Sequence, residues 1–196
     1  MDFWAFRPFV SRGGGYIDSY PDGSPTGWKW HEGMPLSGAY PKDASIEFSG
    51  NFPKDRELRD FQPNMLHALI ASPRALAILA EHEVPGLELL PIAVKDHSGE
   101  VVGPGYAFVN PLGGQDAIDL ERSKFSWSAL NPTQLSEIDH LVLSPARIAP
   151  DAKLFRCAAM HRLFLLRDDL KQAFDRAGLT GCRCFPAEGW NGLDIG

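Results

Sequence analysis

Residues 154–185 read LFRCAAMHRLFLLRDDLKQAFDRAGLTGCRCF, and this stretch decides the fold class of the protein. The apolar runs at 154–160 and 162–166 are short, and short runs rich in aliphatic and aromatic residues are typical of strands. A further short strand is expected over 181–185. The stretch therefore predicts three strands of a sheet, two before and one after a polar interval.

The polar interval has the pattern of an amphipathic helix. Three apolar residues recur at the spacing of one helical face, namely Leu170, Phe174 and Ala177. Asp168 is a candidate cap for the first turn, because its carboxylate can accept hydrogen bonds from free amides. Gly178 suits the left-handed conformation that ends many helices. A helix is therefore predicted between the second and third strands.

A second helix is expected earlier in the chain. Ser72 can cap free amide groups, and Pro73 loses no hydrogen bond at the first helical position. The helix should end near Val84, because the Pro-Gly sequence that follows cannot continue it. Further strands are predicted over 65–70, 87–94, 101–109 and 137–143. The whole pattern predicts an α+β fold, with a mixed or antiparallel sheet and two clear helices.

Proline and glycine predict irregularity within these strands. Pro91 cannot donate a ladder hydrogen bond, so it indicates an edge position or a bulge. The Gly-Pro-Gly sequence at 103–105 also favours a bulge. Because only a short turn sequence separates the strands at 87–94 and 101–109, we expect them to form a hairpin.

The first 60 residues are irregular and rich in aromatic residues. Turn sequences such as Pro-Asp-Gly divide them into short pieces. Trp28 and Trp30 are two apart, so on a strand both would face the same way, either into a small core or toward a partner. We expect one domain over 1–196, with an irregular aromatic-rich part at 1–60 and an α+β core at 64–186.

The composition is that of an ordinary globular chain with an acidic surface. The 196 residues carry a formal net charge of −6, which supplies no basic face for nucleic acid. An acidic surface favours a basic partner, although many mildly acidic proteins bind none. No apolar run approaches the roughly 20 residues of a membrane span. Because the chain has three cysteines and no export signal, we expect it to be cytoplasmic.

The cysteines do not form a recognisable metal motif. Cys182 and Cys184 are separated by one residue, whereas paired zinc-binding cysteines are usually separated by two to four. Buried free cysteine behaves as a small hydrophobic residue, which accounts for these two and for Cys157. No glycine-rich phosphate loop is present. We therefore expect no metal and no cofactor.

Catalysis is an alternative that would require distant residues to meet. The six histidines are scattered, and none stands in a local signature with cysteine or serine. A small hydrolase or transferase would need a nucleophile beside a base, and the candidate residues are His140, His161 and Cys157. We expect no catalytic residues, and we keep this enzyme and a ligand-binding or assembly module as the alternatives.

Residues 116–123, DAIDLERS, are the most distinctive local feature. If the segment is extended, Asp119, Glu121 and Ser123 share one face, and Asp116 lies nearby. Such an acidic strip would suit a basic partner. The same residues would also suit a solvated sheet edge with turn-forming aspartate and serine, so both interpretations are open.

The order of the motifs resembles a known bacterial family. Along the chain come SPRALAILAEHEVPGLELLPIAV at 72–94, YAFVNP at 106–111, AIDLERS at 117–123 and the closing block at 154–185. Together they resemble immunity protein family eleven of polymorphic toxin systems, formerly a domain of unknown function. The similarity covers about residues 64–186.

The resemblance implies a non-enzymatic cytoplasmic protein that protects the producing cell by binding a toxin encoded beside it. Toxins of such systems include those delivered by type VI secretion. A basic nuclease toxin would suit the acidic charge of this chain, and peptidase or other toxins remain open. The residue patterns above, and not the family, supply the candidate partner-binding residues Trp28, Trp30, Asp116, Asp119 and Glu121.

Overall fold

The computed structural model describes residues 2–193. Met1 and residues 194–196, which the single-domain prediction includes, lie outside the described residues. Within that range the strands are β1 Phe3–Pro8, β2 Ser45–Glu47, β3 Leu69–Ala71, β4 Leu87–Lys95, β5 Val101–Pro111, β6 Lys124–Trp127, β7 Leu135–His140, β8 Leu154–Cys157, β9 Met160–Arg167 and β10 Cys182–Pro186. The α-helices are α1 Pro73–Glu81 and α2 Asp168–Ala177. The predicted α+β class is confirmed.

The strands form two four-stranded sheets and a two-stranded ribbon. The first sheet has the order β10-β1-β9-β8 and is antiparallel throughout. The second sheet has the order β2-β4-β5-β3 and is mixed, because β2 runs parallel to β4. The ribbon pairs β6 with β7. Mixed and antiparallel pairing therefore occur together, as predicted.

The sheets are stacked in layers, because each face buries its own set of apolar side chains. One face of the first sheet packs against β7, in a core that includes Ala5, Leu135, Ile138 and Leu165. Its other face shares a core with the second sheet and both helices, including Phe6, Leu69, Leu79, Phe164 and Phe174. The first sheet therefore lies between the ribbon on one side and the helices on the other.

The N-terminal region is more regular than the sequence predicts. β1 is an interior strand of the first sheet, and β2 pairs with β4 in the second. The irregular chain around β2 covers the far face of the second sheet with a core that includes Ile17, Trp30, Leu36 and Phe48. The aromatic residues are numerous here because large side chains bury that face without a regular layer of helix or strand.

The helix ends test the capping predictions. Ser72 Oγ accepts a hydrogen bond from the Ala75 amide at 3.2 Å, and Gly178 ends α2 with φ of +61°, so both predictions are confirmed. The cap predicted at Asp168 is wrong, because Asp168 already belongs to α2 and makes no capping bond. Its carboxylate instead accepts a hydrogen bond from the Trp4 indole at 2.9 Å. No helix among residues 2–193 is long and apolar enough to cross a membrane.

The predicted hairpin and its irregularities are also present. β4 and β5 pair, and β2 contacts β4 only at residues 93–95, so Pro91 occupies an edge position. Ile92 and Val94 of β4 pair with Tyr106 and Gly103 of β5. β5 therefore has one extra residue in this interval, which is the bulge predicted at 103–105. The strand predicted over 65–70 begins only at Leu69 in β3.

A buried cation connects the two sheets. Arg156 on β8 donates hydrogen bonds to the carbonyls of Trp30, Pro111 and His161 and to the side-chain oxygen of Asn110. Its guanidinium carbon lies 4.6 Å from the centroid of the Phe164 ring. Burial lowers the pKa of Arg156 to about 10, so it remains charged at neutral pH. The carbonyls satisfy a charge that would otherwise be costly to bury.

Candidate binding cleft

The first sheet splits at one end, where β1 and β9 stop pairing. Their ladder ends at Phe6 opposite Phe164. Beyond that point β1 continues along β10, with Pro8 opposite Cys182. β9 instead continues along β8, with Met160 opposite Cys157. The two central strands of the sheet therefore diverge, and a gap opens between them.

Pro8 gives this split a physical cause. Just before β1, the Asp168 amide donates a hydrogen bond to the Asp2 carbonyl at 3.0 Å. Because hydrogen-bonding residues alternate along an antiparallel strand, every second residue after Asp2, including Pro8, points its backbone groups toward β9. Continuing the register beyond Phe6 would pair Pro8 with Arg162. Because proline has no amide hydrogen, it cannot make the bond that would hold the strands together.

An open cleft of about 890 Å³ lies at the split. It is lined by the end of β1, the start of β9, residues from β7, the loop before β3 and the chain near Leu193. Its rim exposes apolar side chains, since Val10 and Met65 are each 57% exposed and Leu193 is 54% exposed. Exposed apolar groups around a concave surface are typical of an interaction site, although other exposed apolar side chains, such as Trp28 and Leu130, lie outside this cleft.

Charged and titratable side chains of both signs line the same cleft. Arg162 and His67 are the basic residues among them, and Glu137 and Asp139 are the acidic ones. None of these four side chains forms an ion pair within residues 2–193. The Arg162 guanidinium donates from Nη2 to the Ser136 carbonyl. Arg162, Glu137 and Asp139 are therefore charges that have no ion-pair partner in the described chain.

His67 is held in an unusual backbone conformation at the cleft. Its φ is +51°, in the left-handed region that few residues other than glycine adopt. Burial, followed by the positive charges of Arg162 and Arg7, lowers the pKa of His67. Local strain of this kind is more frequent at functional sites than elsewhere.

A second cavity of about 240 Å³ adjoins the cleft and shares Ser136, Met160 and Arg162 with it. His31 and His161 line this cavity, and the His31 ring lies 6.4 Å from the His67 ring. Burial, followed by the charges of nearby basic groups, lowers the pKa of His31 to about 4. His31 is therefore neutral at neutral pH, beside the positively charged Arg162.

The acidic segment does not have the extended geometry that would form a strip. The chain turns after Asp119, whose carboxylate accepts hydrogen bonds from the amides of Glu121 and Arg122 at 3.1 and 3.2 Å. Asp116 forms an ion pair with Arg147 at 2.9 Å. The extended alternative does not hold, and Asp119 instead fixes a turn with its carboxylate, as the turn-forming alternative predicts. Glu121 is exposed and forms no ion pair among residues 2–193.

Trp28 and Trp30 lie on a short 3-10 helix, Gly27–His31, and not on a strand. Trp30 is only 3% exposed and stacks on the Tyr20 ring at 4.7 Å, whereas Trp28 is 60% exposed. The strand on which both would face the same way is absent, and the helical turn sends them in different directions. Trp28 remains available to a partner, and Trp30 is a core residue.

The residues of the alternative enzyme are not grouped around an accessible thiol. Cys157 is fully buried, and burial raises the pKa of its thiol. Burial also raises the pKa of both Cys182 and Cys184 to about 12. His140 lies on the ribbon opposite Lys124, whereas His161 lines the second cavity. No cluster of three or more His, Cys, Asp or Glu suited to a metal is found in the described part of the chain.

No model of a known protein family matches the chain, and a search of curated proteins finds no relative. The resemblance to immunity protein family eleven therefore stays a prediction. Sequence reasoning missed the cleft residues Arg162, His67, Glu137 and Asp139. The available signal was Pro8, a proline within an apolar aromatic run, which indicates a strand that cannot pair fully on one side.

Proposed function

We propose that the chain is an immunity protein that binds a toxin protein in the cytoplasm and neutralises it, with the cleft at the split sheet as the binding surface. One observation carries the proposal. The cleft combines an exposed apolar rim with uncompensated charges of both signs. The resemblance of residues 64–186 to an immunity family points to the same class of protein.

The form of the cleft favours a protein over a small molecule. Small-molecule pockets usually enclose most of the ligand surface, whereas this cleft is open and rimmed by exposed side chains. Protein interfaces are enriched in methionine, aromatic residues and arginine. Met65, Trp190 and Arg162 supply these residue types around the cleft.

Neutralisation by binding also fits the state of the thiols. A cysteine nucleophile must reach solvent as a thiolate, and Cys157 is buried with a raised thiol pKa. The hydrolase or transferase alternative would therefore need a nucleophile other than Cys157. The net charge of −6 continues to favour a basic toxin such as a nuclease in the long-range encounter.

The test is protection against the toxin domain encoded beside this gene. Co-expression should restore growth, and the two proteins should co-purify as a complex. In vitro, inhibition of the purified toxin should saturate at one protein molecule per toxin molecule. An enzyme that modifies the toxin would protect at far lower ratios and change the toxin mass. Either of those results, or the absence of any complex, would contradict the proposal.

A further inference from the structure

Side chains of opposite charge line the same cleft. We propose that the cleft receives an extended segment of the partner, with an acidic side chain placed at Arg162 and His67 and a basic side chain placed at Glu137 and Asp139. The inference rests on the proposed function only in taking the partner to be a protein. It adds the chemistry of the segment that is recognised.

The acidic position follows from the incomplete bonding of Arg162. Its guanidinium donates one hydrogen bond, from Nη2 to the Ser136 carbonyl, and has no carboxylate partner in the described chain. Arginine presents several N–H donors in a planar fork that matches a carboxylate. His67 lines the cleft beside it and contacts the His31 ring. A carboxylate at this position would supply the missing ion-pair partner to Arg162, with the His67 ring beside it as a hydrogen-bonding group.

The basic position follows from the two carboxylates on β7. Glu137 and Asp139 flank Ile138, which is buried in the core between the ribbon and the first sheet. Both acidic side chains are exposed and line the cleft. Neither forms an ion pair within residues 2–193, so a lysine or arginine of the partner would be their first cation. A segment with charges of only one sign would leave either Arg162 or the two carboxylates without an opposite charge.

An extended conformation follows from the position of the cleft in the sheet. The split leaves the end of β1 and the start of β9 no longer paired with each other. A strand that has lost its neighbour can bond to the backbone of another extended chain. The exposed side chains of Val10, Met65 and Leu193 offer apolar contacts along the same path. An extended segment can form ion pairs, backbone hydrogen bonds and apolar contacts in the cleft at the same time.

A random dodecapeptide library displayed on phage tests the inference without the toxin. The full chain should enrich peptides that carry an acidic and a basic residue at a constant spacing. Arg162→Glu should abolish the acidic preference, and the double variant Glu137→Lys with Asp139→Lys should abolish the basic preference. For a synthetic peptide of the enriched sequence, Arg162→Glu should weaken binding at least about tenfold. Arg162→Lys, which keeps the charge, should weaken it less.

The matched control is Arg176→Glu, which reverses an exposed arginine in the last turn of α2, away from the cleft. It should leave the enriched sequences unchanged. Circular dichroism of each variant separates loss of recognition from loss of fold, and the β7 double variant gives a second test if Arg162→Glu does not fold. Enrichment without charged residues, no enrichment, or equal loss with the control would overturn the inference. The toxin titration would still decide the immunity role independently.

Discussion

The cleft and the segment at 116–123 both carry charged side chains, but the chain uses those charges differently. In the segment, Asp119 holds two amides of a turn and Asp116 pairs with Arg147. In the cleft, Glu137 and Asp139 form no ion pair within residues 2–193. The comparison teaches that a charged sequence identifies a binding surface only after internal partners are accounted for. A charged group that already has hydrogen bonds or an ion pair within the chain gains less free energy from contact with another molecule.

Arg162→Glu should produce the largest difference between the two regions. Reversing the charge removes a donor and introduces repulsion toward an acidic side chain of the partner. We expect the affinity for the proposed toxin to fall by about 2 kcal/mol, or roughly thirtyfold, measured by isothermal titration calorimetry. The control Arg176→Glu should change affinity less than about twofold. Equal effects of the two reversals would assign the binding surface elsewhere.

Pro8→Ala should partly close the split. Alanine restores an amide hydrogen that can donate across the gap to β9, so the ladder between β1 and β9 can extend. We expect slower hydrogen exchange at the Arg162 amide than in the parent chain, and a loss of affinity for the proposed toxin of about tenfold, or about 1.4 kcal/mol. The new ladder hydrogen bond should stabilise the folded chain, whereas loss of proline gives the unfolded chain more conformational freedom and lowers stability. The two effects on the free energy of unfolding therefore oppose each other. Unchanged exchange would show that proline does not cause the split.

Asp119→Ala should affect stability more than binding. Its carboxylate accepts two backbone amides, and their loss should reduce the free energy of unfolding by about 1 kcal/mol in urea denaturation. Asp116→Ala is the matched control, because its exposed ion pair with Arg147 should contribute less than about 0.5 kcal/mol. A large loss of toxin affinity without a loss of stability would favour the acidic segment as the contact surface.

His31 should make stability depend on pH beside the cleft. The pKa of His31 is about 4 in the folded chain, below the ordinary value of 6.5. Between pH 4 and pH 6.5 the ring is therefore protonated in the unfolded chain but neutral in the folded chain. Stability should therefore be complete above pH 6.5 and fall as the pH decreases toward 4. Because the ring is partly exposed, we expect less than about 1 kcal/mol. His31→Gln should flatten this part of the profile in urea titrations, and an unchanged slope would assign it to other groups.

Glu121→Lys should have the smallest effect. Glu121 is exposed and lies outside the cleft, so reversing it should change toxin affinity less than about twofold. This single variant tests the acidic segment without disturbing the turn that Asp119 fixes. A loss of tenfold or more would restore the segment as a contact surface and weaken the assignment to the cleft.

Local signals predicted the elements whose geometry depends on neighbouring residues. Ser72, Gly178 and Pro91 each act within a few residues of their own position, by capping a helix, ending a helix or disrupting a ladder. β1 was missed because it pairs with β9 and β10, near the other end of the chain. β6 was missed although its partner β7 follows it closely in sequence. Asp168 was misassigned as a cap because Trp4 reaches its carboxylate from the far end of the sequence.

The candidate site was less predictable than the fold. Trp30 and Trp28 have the same residue type and nearly the same position, yet burial against Tyr20 separates their roles. Asp119 and Glu137 are both acidic residues near apolar ones, and only the folded chain shows which of them has a partner. The turn at Asp119 is formed by its near neighbours in sequence, whereas the burial of Trp30 and the lack of an ion pair at Glu137 within residues 2–193 emerge only in the folded chain.

The sequence by itself determined the α+β class, the two helices and the hairpin, because hydrophobic periodicity and backbone chemistry act over a few residues. The tertiary structure decided that β1 lies beside β9, that Pro8 falls where Arg162 would be its partner, and that the cleft opens there. Register between distant strands depends on the packing of the whole core, which no local pattern records.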